Sequence, residues 1–179
     1  KLDDVVYPNE DKDPLQYLSI TYSFPIWLIE LWLKHYPYEV VKNMCENSNK
    51  TVHTSIRCNT TLATVNGLKK ELEAEAITVE DGYILDYAFH IKHYDNIRAI
   101  DAFKEGKFSV QDESSMLVGH LANPEDGQLI IDVCAAPGGK STHVAELMQQ
   151  TGQVISRDLY PRKLDLIEQN VKRLHLKNV

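Results

Sequence analysis

A short apolar run followed by a glycine turn constrains the fold of this chain more than any other feature. Residues 129–134 read Leu-Ile-Ile-Asp-Val-Cys, a continuous run that is typical of a buried parallel strand. The turn Ala-Ala-Pro-Gly-Gly follows, and residues 140–150 have the pattern of a helix that Gly152 ends. A second predicted strand over 154–159 and a helix over 161–174 come next. This order predicts the first half of a doubly wound α/β sheet.

The first 110 residues are expected to hold a linker and a smaller subdomain. Residues 1–16 are polar and acidic and contain two prolines, as linkers do. Residues 18–47 have helical periodicity, and Trp27 and Trp32 on its apolar stripe are predicted to pack in a core. Strand-like, helical and β-like segments then alternate over 53–91, which predicts a small α/β unit. The predicted domains are a linker over 1–16, a helical and α/β subdomain over 17–110 and half of an α/β domain over 111–179.

The composition excludes several classes of protein. The 179 residues are 43% hydrophobic and 25% charged with a formal net charge of -7, so the chain is neither collagen-like nor wholly disordered. An acidic chain is an unusual nucleic-acid binder, although net charge does not exclude a local basic groove. The three cysteines form no Cys-x-x-Cys pair, and no apolar run is as long as a membrane helix. We therefore expect a cytoplasmic protein without disulfides, metal site or membrane contact.

The glycine turn itself predicts a nucleotide-like ligand. Small residues and glycines let the backbone pass close to a ligand, and the helix that follows presents unpaired N–H groups toward it. A phosphate-binding loop would end in Gly139-Lys140-Ser141, but Cys134 stands where that motif has its first glycine. A ligand with a ribose would use an acidic residue at the end of the second strand, where Asp158 lies. The full Gly-x-Gly-x-x-Gly of nicotinamide sites is missing, which favours S-adenosylmethionine.

Five segments, one of them containing the glycine turn, resemble the motifs of one enzyme family. The run Asp-Val-Cys-Ala-Ala-Pro-Gly-Gly-Lys-Ser-Thr-His over 132–143 closely resembles the first motif of the RNA cytosine-5 methyltransferases of the RsmB/Sun/NOL1/NSUN family. Val-Gln-Asp-Glu-Ser-Ser-Met over 110–116 resembles the helix motif that precedes it, and 157–164 resembles the second motif. Segments 22–27 and 56–60 resemble the N-terminal RNA-binding region of the family. The resemblance covers residues 17–179 and is strongest to bacterial enzymes that act on 16S ribosomal RNA.

The resemblance implies a fold, a reaction and a set of binding residues. The fold would be a small α/β RNA-binding subdomain with preceding helices, followed by the first half of a Rossmann-like methyltransferase domain. The reaction would transfer a methyl group from S-adenosylmethionine to carbon 5 of a cytosine in ribosomal RNA, without a metal. The implied donor-binding residues are Cys134, Ala135, Ala136, Pro137, Gly138, Gly139, Lys140 and Asp158. The implied RNA-binding residues are Arg57, Asn59, Lys140 and Arg162, and Arg57 has a second interpretation as the partner of an acidic neighbour.

The resemblance also implies that the catalytic residues are not in this chain. Family enzymes use a cysteine nucleophile that adds to carbon 6 of the cytosine, in a motif beyond the second strand–helix pair. We therefore expect an internal fragment that is inactive alone, with Cys134 as a packed small residue. Two alternatives stay open: an RNA-binding module without catalysis and a P-loop-like nucleotide-binding protein. ATP–Mg²⁺ binding through Lys140 and Ser141 would distinguish the second alternative.

Overall fold

The computed structural model describes residues 8–50 and 53–179, and the chain divides between residues 52 and 53 into two compact units. Part of the predicted linker lies outside the described residues, and the rest of it already contains the start of a helix at Pro14. Residues 53–110 and 111–179 belong to the same unit. None of the helices in the described part of the chain is long and apolar enough to cross a membrane.

The N-terminal unit is a group of three helices. They are α1 (Pro14–Tyr22), α2 (Ile26–Leu33) and α3 (Tyr38–Ser48). Asp13 caps α1 by accepting a hydrogen bond from the Gln16 backbone N–H at 3.0 Å. The fully buried side chains of the core are Leu18, Ile29, Val41 and Cys45.

The prediction that both tryptophans lie in the core is wrong for Trp27. Trp32 packs against the core of this unit, whereas Trp27 is 64% exposed. Seven of the eight residues of α2 (Ile-Trp-Leu-Ile-Glu-Leu-Trp-Leu) are apolar. A helix that is apolar nearly all round has no periodic signal to show which side packs.

The second unit begins with an antiparallel sheet. Its elements are β1 (Thr54–Cys58), α4 (Val65–Ala74), β2 (Thr78–Asp81), β3 (Ala88–Lys92), α5 (Asp101–Lys104) and β4 (Phe108–Val110). The strand order is β2-β3-β1-β4, and every neighbouring pair is antiparallel. Thr64 caps α4 through the Gly67 N–H, and α4 packs Leu68 and Leu72 into the core of the sheet. The α/β unit expected from the alternating pattern is therefore present.

The glycine-turn region follows in the same unit. Its elements are α6 (Glu113–Ala122), β5 (Leu129–Asp132), α7 (Gly139–Leu147), β6 (Gln153–Ser156) and α8 (Pro161–Arg173). β5 and β6 are parallel, in register from Leu129 opposite Gln153, as the strand–turn–helix order predicts. One face of this pair packs Ile130 and Val154 against a core with α7, but Leu129 and Ile131 on the other face are 60% and 52% exposed. The mixed α/β class is confirmed.

The end of α8 is fixed against the antiparallel sheet region. Arg173 donates a hydrogen bond to the Phe103 carbonyl at 2.9 Å and lies 4.0 Å from the centre of that ring. Asn59 donates to the carbonyls of Gly106 and Leu174 at 3.1 and 3.3 Å. Gly106 has a φ of +75°, and a Cβ there would meet the Arg173 carbonyl oxygen at 2.0 Å. Only glycine fits so close an approach of two backbones.

Candidate functional site

The glycine turn between β5 and α7 is held by its own hydrogen bonds. Asp132, the last residue of β5, accepts hydrogen bonds from the Cys134 N–H at 3.2 Å and from the Ser141 hydroxyl at 2.7 Å. Gly138 has a φ of +101°, a backbone conformation that residues with a side chain rarely adopt. The chain therefore turns sharply and enters α7 at Gly139 with its backbone close to the end of β5.

Asp158 braces the same turn from the end of β6. Its carboxylate accepts the backbone N–H groups of Ala136 at 3.2 Å and Tyr160 at 3.3 Å, and its side chain is 4% exposed. Burial by itself would raise the pKa of Asp158, but the two N–H donors and Lys163 hold it below its ordinary value. The carboxylate is thus charged and already bonded to protein, and its contact with a ribose stays a prediction.

A cavity of about 310 Å³ lies beside the turn. Its lining comes from two separate segments. The segment before β5 contributes Val110, Gln111, Asp112 and Ser115, and the segment that begins at the last residue of β5 contributes Asp132, Cys134, Ala135, Ala136, Pro137, Gly139 and Lys140. The two motif-like runs over 110–116 and 132–143 therefore meet at one cavity. Of the predicted donor-binding residues, Gly138 faces Ile167 of α8, and Asp158 lies outside the lining.

A larger cavity of about 460 Å³ lies on another part of this unit. It is formed by α4, the segment 81–86 and Phe89 of β3. None of the donor-binding residues that the sequence predicts lines it. Size alone does not identify the ligand site. The cavity beside the glycine turn is the better candidate, because both motif-like runs line it.

Arg57 lies at the centre of a buried network next to the smaller cavity. Its guanidinium makes a bidentate pair with Glu146 at 3.0 and 2.8 Å and donates to the Gly139 carbonyl at 3.0 Å. It also donates to the side-chain oxygens of Gln111 and Thr142. Burial raises the pKa of Glu146, and the Arg57 charge partly offsets that rise. The network joins β1 to both the first and the last turn of α7.

This geometry corrects the sequence interpretation of Arg57 and Asn59. The family resemblance implies that both contact RNA, but Arg57 is 0% exposed and Asn59 is 1% exposed. The physical reason is that their donors are satisfied inside the unit, by the Glu146 carboxylate and by backbone carbonyls. The second interpretation of Arg57, as the partner of an acidic residue, fits the structure. Lys140 and Arg162 are exposed, and their contact with RNA stays a prediction.

Sequence reasoning missed Gln111, Thr142 and Glu146. Gly139, Thr142 and Glu146 are spaced by three and four residues, so they share one face of α7. The Glu146 carboxylate lies on the face of this helix that packs against the sheet. A charged residue at such a position indicates a buried partner of opposite charge. Its partner is 89 residues away in the chain, and no local pattern identifies it.

A second buried carboxylate fixes the start of α6. Glu113 accepts the backbone N–H groups of Tyr83, Ile84 and Leu85 at 2.9, 2.9 and 3.1 Å, and His90 Nε2 lies 3.3 Å away. Burial would raise the pKa of Glu113, but the three N–H donors lower it below its ordinary value. The described residues contain no group of three or more His, Cys, Asp and Glu side chains that could hold a metal ion.

Comparison with known proteins agrees with this geometry. Residues 119–179 match the family model of the 16S rRNA methyltransferase RsmB/F, and residues 24–98 match a ferredoxin-like domain model of RsmF/B-like methyltransferases. The probable ribosomal RNA small subunit methyltransferase B of Bacillus subtilis is 36% identical over 165 residues, which cover 92% of this chain and 37% of that protein. The tRNA (cytosine(72)-C(5))-methyltransferase of Pyrococcus horikoshii is 39% identical over 84 residues, covering 47% of this chain and 22% of that enzyme.

A solved structure extends the match over nearly the whole chain. The crystal structure of PH0851 superposes with a TM-score of 0.84 at 33% identity, covering 97% of this chain and 39% of that one. The chain thus spans little more than a third of the length of the Bacillus relative. Since the domain models match both the antiparallel sheet region and the glycine-turn region, the chain belongs to the RsmB/F family of RNA methyltransferases.

Proposed function

We propose that this chain contributes the donor-binding part of an enzyme that transfers a methyl group from S-adenosylmethionine to carbon 5 of a cytosine in 16S ribosomal RNA. The observation that carries the proposal is the cavity at the glycine turn, which both motif-like segments line. The names of the relatives support the reaction class, since the Bacillus protein is named for ribosomal RNA and the Pyrococcus enzyme for cytosine carbon 5.

The residues around the cavity fit such a donor. Gly139 has no side chain, and a Cβ there would stand 3.8 Å from Gln111 Nε2, so a larger residue would narrow the cavity. Ala135 and Ala136 in the lining are equally small, which lets a ligand approach the backbone. When bound, S-adenosylmethionine supplies an activated methyl group. The role of this chain is to bind the donor. Asp132 and Asp158 stabilise the turn by accepting hydrogen bonds from its backbone N–H groups.

We assign the RNA contacts to the exposed basic residues at the same end of the strands. Lys140 lines the cavity, and Arg162 lies in the first turn of α8. Both are exposed, as contact with phosphates requires. The target cytosine would be unpaired or flipped out of a helix, because the nucleophile of the enzyme otherwise cannot reach the base.

The P-loop alternative is disfavoured by the position of Ser141. In a P-loop this hydroxyl binds Mg²⁺, but here it is 1% exposed and donates to Asp132. Calorimetric titration of the chain with S-adenosylhomocysteine and with ATP–Mg²⁺ tests the choice. We expect S-adenosylhomocysteine to bind, and Asp158→Ala to weaken its affinity about tenfold, because the Ala136 N–H in the turn loses its acceptor. Asp165→Ala, an exposed carboxylate on α8, is the control. Binding of ATP–Mg²⁺ alone would overturn the proposal.

The RNA assignment and the third possibility, RNA binding without a donor site, need a second experiment. Filter binding of a 16S ribosomal RNA fragment over a salt series measures how many phosphates the chain neutralises. Lys140→Ala and Arg162→Ala are each expected to reduce the salt slope by about one, while the exposed Lys70→Ala on α4 leaves it unchanged. RNA binding that survives both variants would contradict the assigned contacts. RNA binding without any donor binding would favour the module without catalysis.

A further inference from the structure

Arg57 fixes the orientation of the Gln111 side-chain amide. Gln111 Oε1 accepts a hydrogen bond from Arg57 Nη1, which also donates to the Gly139 carbonyl at 3.0 Å. A guanidinium has donors and no acceptor, so the oxygen of the amide, not its nitrogen, must face Arg57. The amide nitrogen is therefore directed to the other side, beside Gly139 at the start of α7.

That nitrogen is a buried donor without a partner. Gln111 is 8% exposed, and no atom of the residues that the structure describes accepts a hydrogen bond from Nε2. Buried donors are rarely left unpaired, because losing water without gaining another acceptor is destabilising. Gln111 also lines the cavity at the glycine turn, so an occupant of the cavity can supply the missing acceptor.

The charges of the cavity indicate what kind of acceptor fits. Its lining contains the carboxylates of Asp112 and Asp132 and the ammonium group of Lys140. A phosphate would face two carboxylates, which repel it. An amino-acid group has an ammonium for the carboxylates and a carboxylate for the amide nitrogen. The lining therefore fits a zwitterion better than a phosphate.

We propose that Gln111 Nε2 donates a hydrogen bond to the carboxylate of the methyl donor's amino-acid end. This inference rests on the proposed donor site and adds one contact that distinguishes the amino-acid end from the nucleoside end. It makes Gln111 a specificity-determining residue, because a ligand that lacks the carboxylate gains nothing from the amide nitrogen.

Two ligands and two substitutions test the contact. S-adenosylhomocysteine has the amino-acid end, and 5′-methylthioadenosine has the same nucleoside without it. Gln111→Met removes the amide and keeps the length of the side chain, whereas Gln111→Glu keeps an oxygen for Arg57 and removes the donor. Each ligand is titrated calorimetrically into the unsubstituted 179-residue chain and into each variant. Gln153→Met, which replaces an exposed glutamine at the start of β6, is the matched control.

We expect the substitutions to lower the affinity for S-adenosylhomocysteine selectively. Gln111→Met should weaken it about tenfold and Gln111→Glu more, because a second carboxylate repels the first, while the affinity for 5′-methylthioadenosine changes less than twofold. Equal weakening of both ligands would overturn the inference, since the side chain would then only support the turn. Unchanged affinity for both would also overturn it. If the unsubstituted chain binds neither ligand, the proposed donor site fails and the inference fails with it.

Discussion

The two regions of the second unit differ in how their strands are covered. In the antiparallel sheet region, β1 and β3 bury Ile56, Phe89 and Ile91 almost completely. In the glycine-turn region, β5 packs Ile130 but leaves Leu129 and Ile131 more than half exposed. The apolar run that predicted β5 correctly did not show what covers it. The difference teaches that a hydrophobic pattern locates a strand, whereas burial depends on neighbours that are distant in sequence.

The border between these regions carries the charged network. Arg57 extends from the sheet region and holds Gly139 and Glu146 of the glycine-turn region. Glu113 extends the other way, from α6 to the backbone of residues 83–85. The candidate site therefore lies where each region fixes the other. We expect substitutions at this border to lower the free energy of unfolding more than substitutions within the turn.

The largest effect is expected from Arg57→Met. It removes one partner of a buried ion pair and leaves the Glu146 carboxylate buried without its partner, which typically costs about 3–5 kcal/mol in the free energy of unfolding. Urea denaturation measures this, with Arg98→Met, an exposed arginine between β3 and β4, as the control. If both variants unfold at the same urea concentration, the network does not join the two regions.

Glu113→Gln at the same border is expected to lower the free energy of unfolding by a smaller amount, about 2 kcal/mol. Two carboxylate oxygens accept three N–H groups here, and an amide offers only one oxygen, so the Tyr83 N–H would face an NH₂ group. The exposed Glu73→Gln on α4 is the control.

The loss at Glu113 should depend on pH in a defined direction. The pKa of Glu113 is below its ordinary value of 4.5 in the folded chain, so its charge stabilises the fold above that value. That contribution is lost as the pH falls through the folded-state pKa. The difference in unfolding free energy between the parent chain and Glu113→Gln should therefore shrink below about pH 4.5. A difference that grows on acidification would contradict the assignment.

Gly138→Ala tests the turn itself. A side chain at a φ of +101° is strained, and the expected cost is about 1–2 kcal/mol. Because the strain lies in the turn, binding of S-adenosylhomocysteine should weaken as well. Gly127→Ala, also at positive φ but in open space, has the same backbone strain and should leave binding unchanged. Equal loss of binding in both variants would show that general destabilisation is responsible.

The smallest effect is expected from Cys134→Ser. Cys134 is exposed at the cavity, and its backbone N–H, not its thiol, bonds to Asp132. The unfolding free energy should change by less than about 0.5 kcal/mol and the affinity for S-adenosylhomocysteine by less than twofold. Alkylation of Cys134 by iodoacetamide serves as a positive control, because a bulky group would fill the cavity. A large loss with serine would show that the thiol itself binds the ligand.

Local pattern accounts for what the sequence predicted well. The elements β5, α7, β6 and α8 and the turn before α7 follow from glycine, proline and apolar spacing, which act within about ten residues. The burial of Arg57 could not be predicted, because its partner Glu146 comes close only after the two regions pack. Arg57 was expected at the surface and is buried, whereas Trp27 was expected in the core and is exposed. Trp27 lies on the exposed side of a helix that is apolar nearly all round. In both cases the tertiary partners decide the outcome.

The central claim is that the donor binds at the glycine turn where the two motif-like segments meet. Amide chemical-shift mapping of the ¹⁵N-labelled chain during titration with S-adenosylhomocysteine tests it most directly. We expect the largest changes at residues 111–115 and 134–140, which line the 310 Å³ cavity. Changes confined to residues 65–69 and 81–86, around the larger cavity, would contradict the claim.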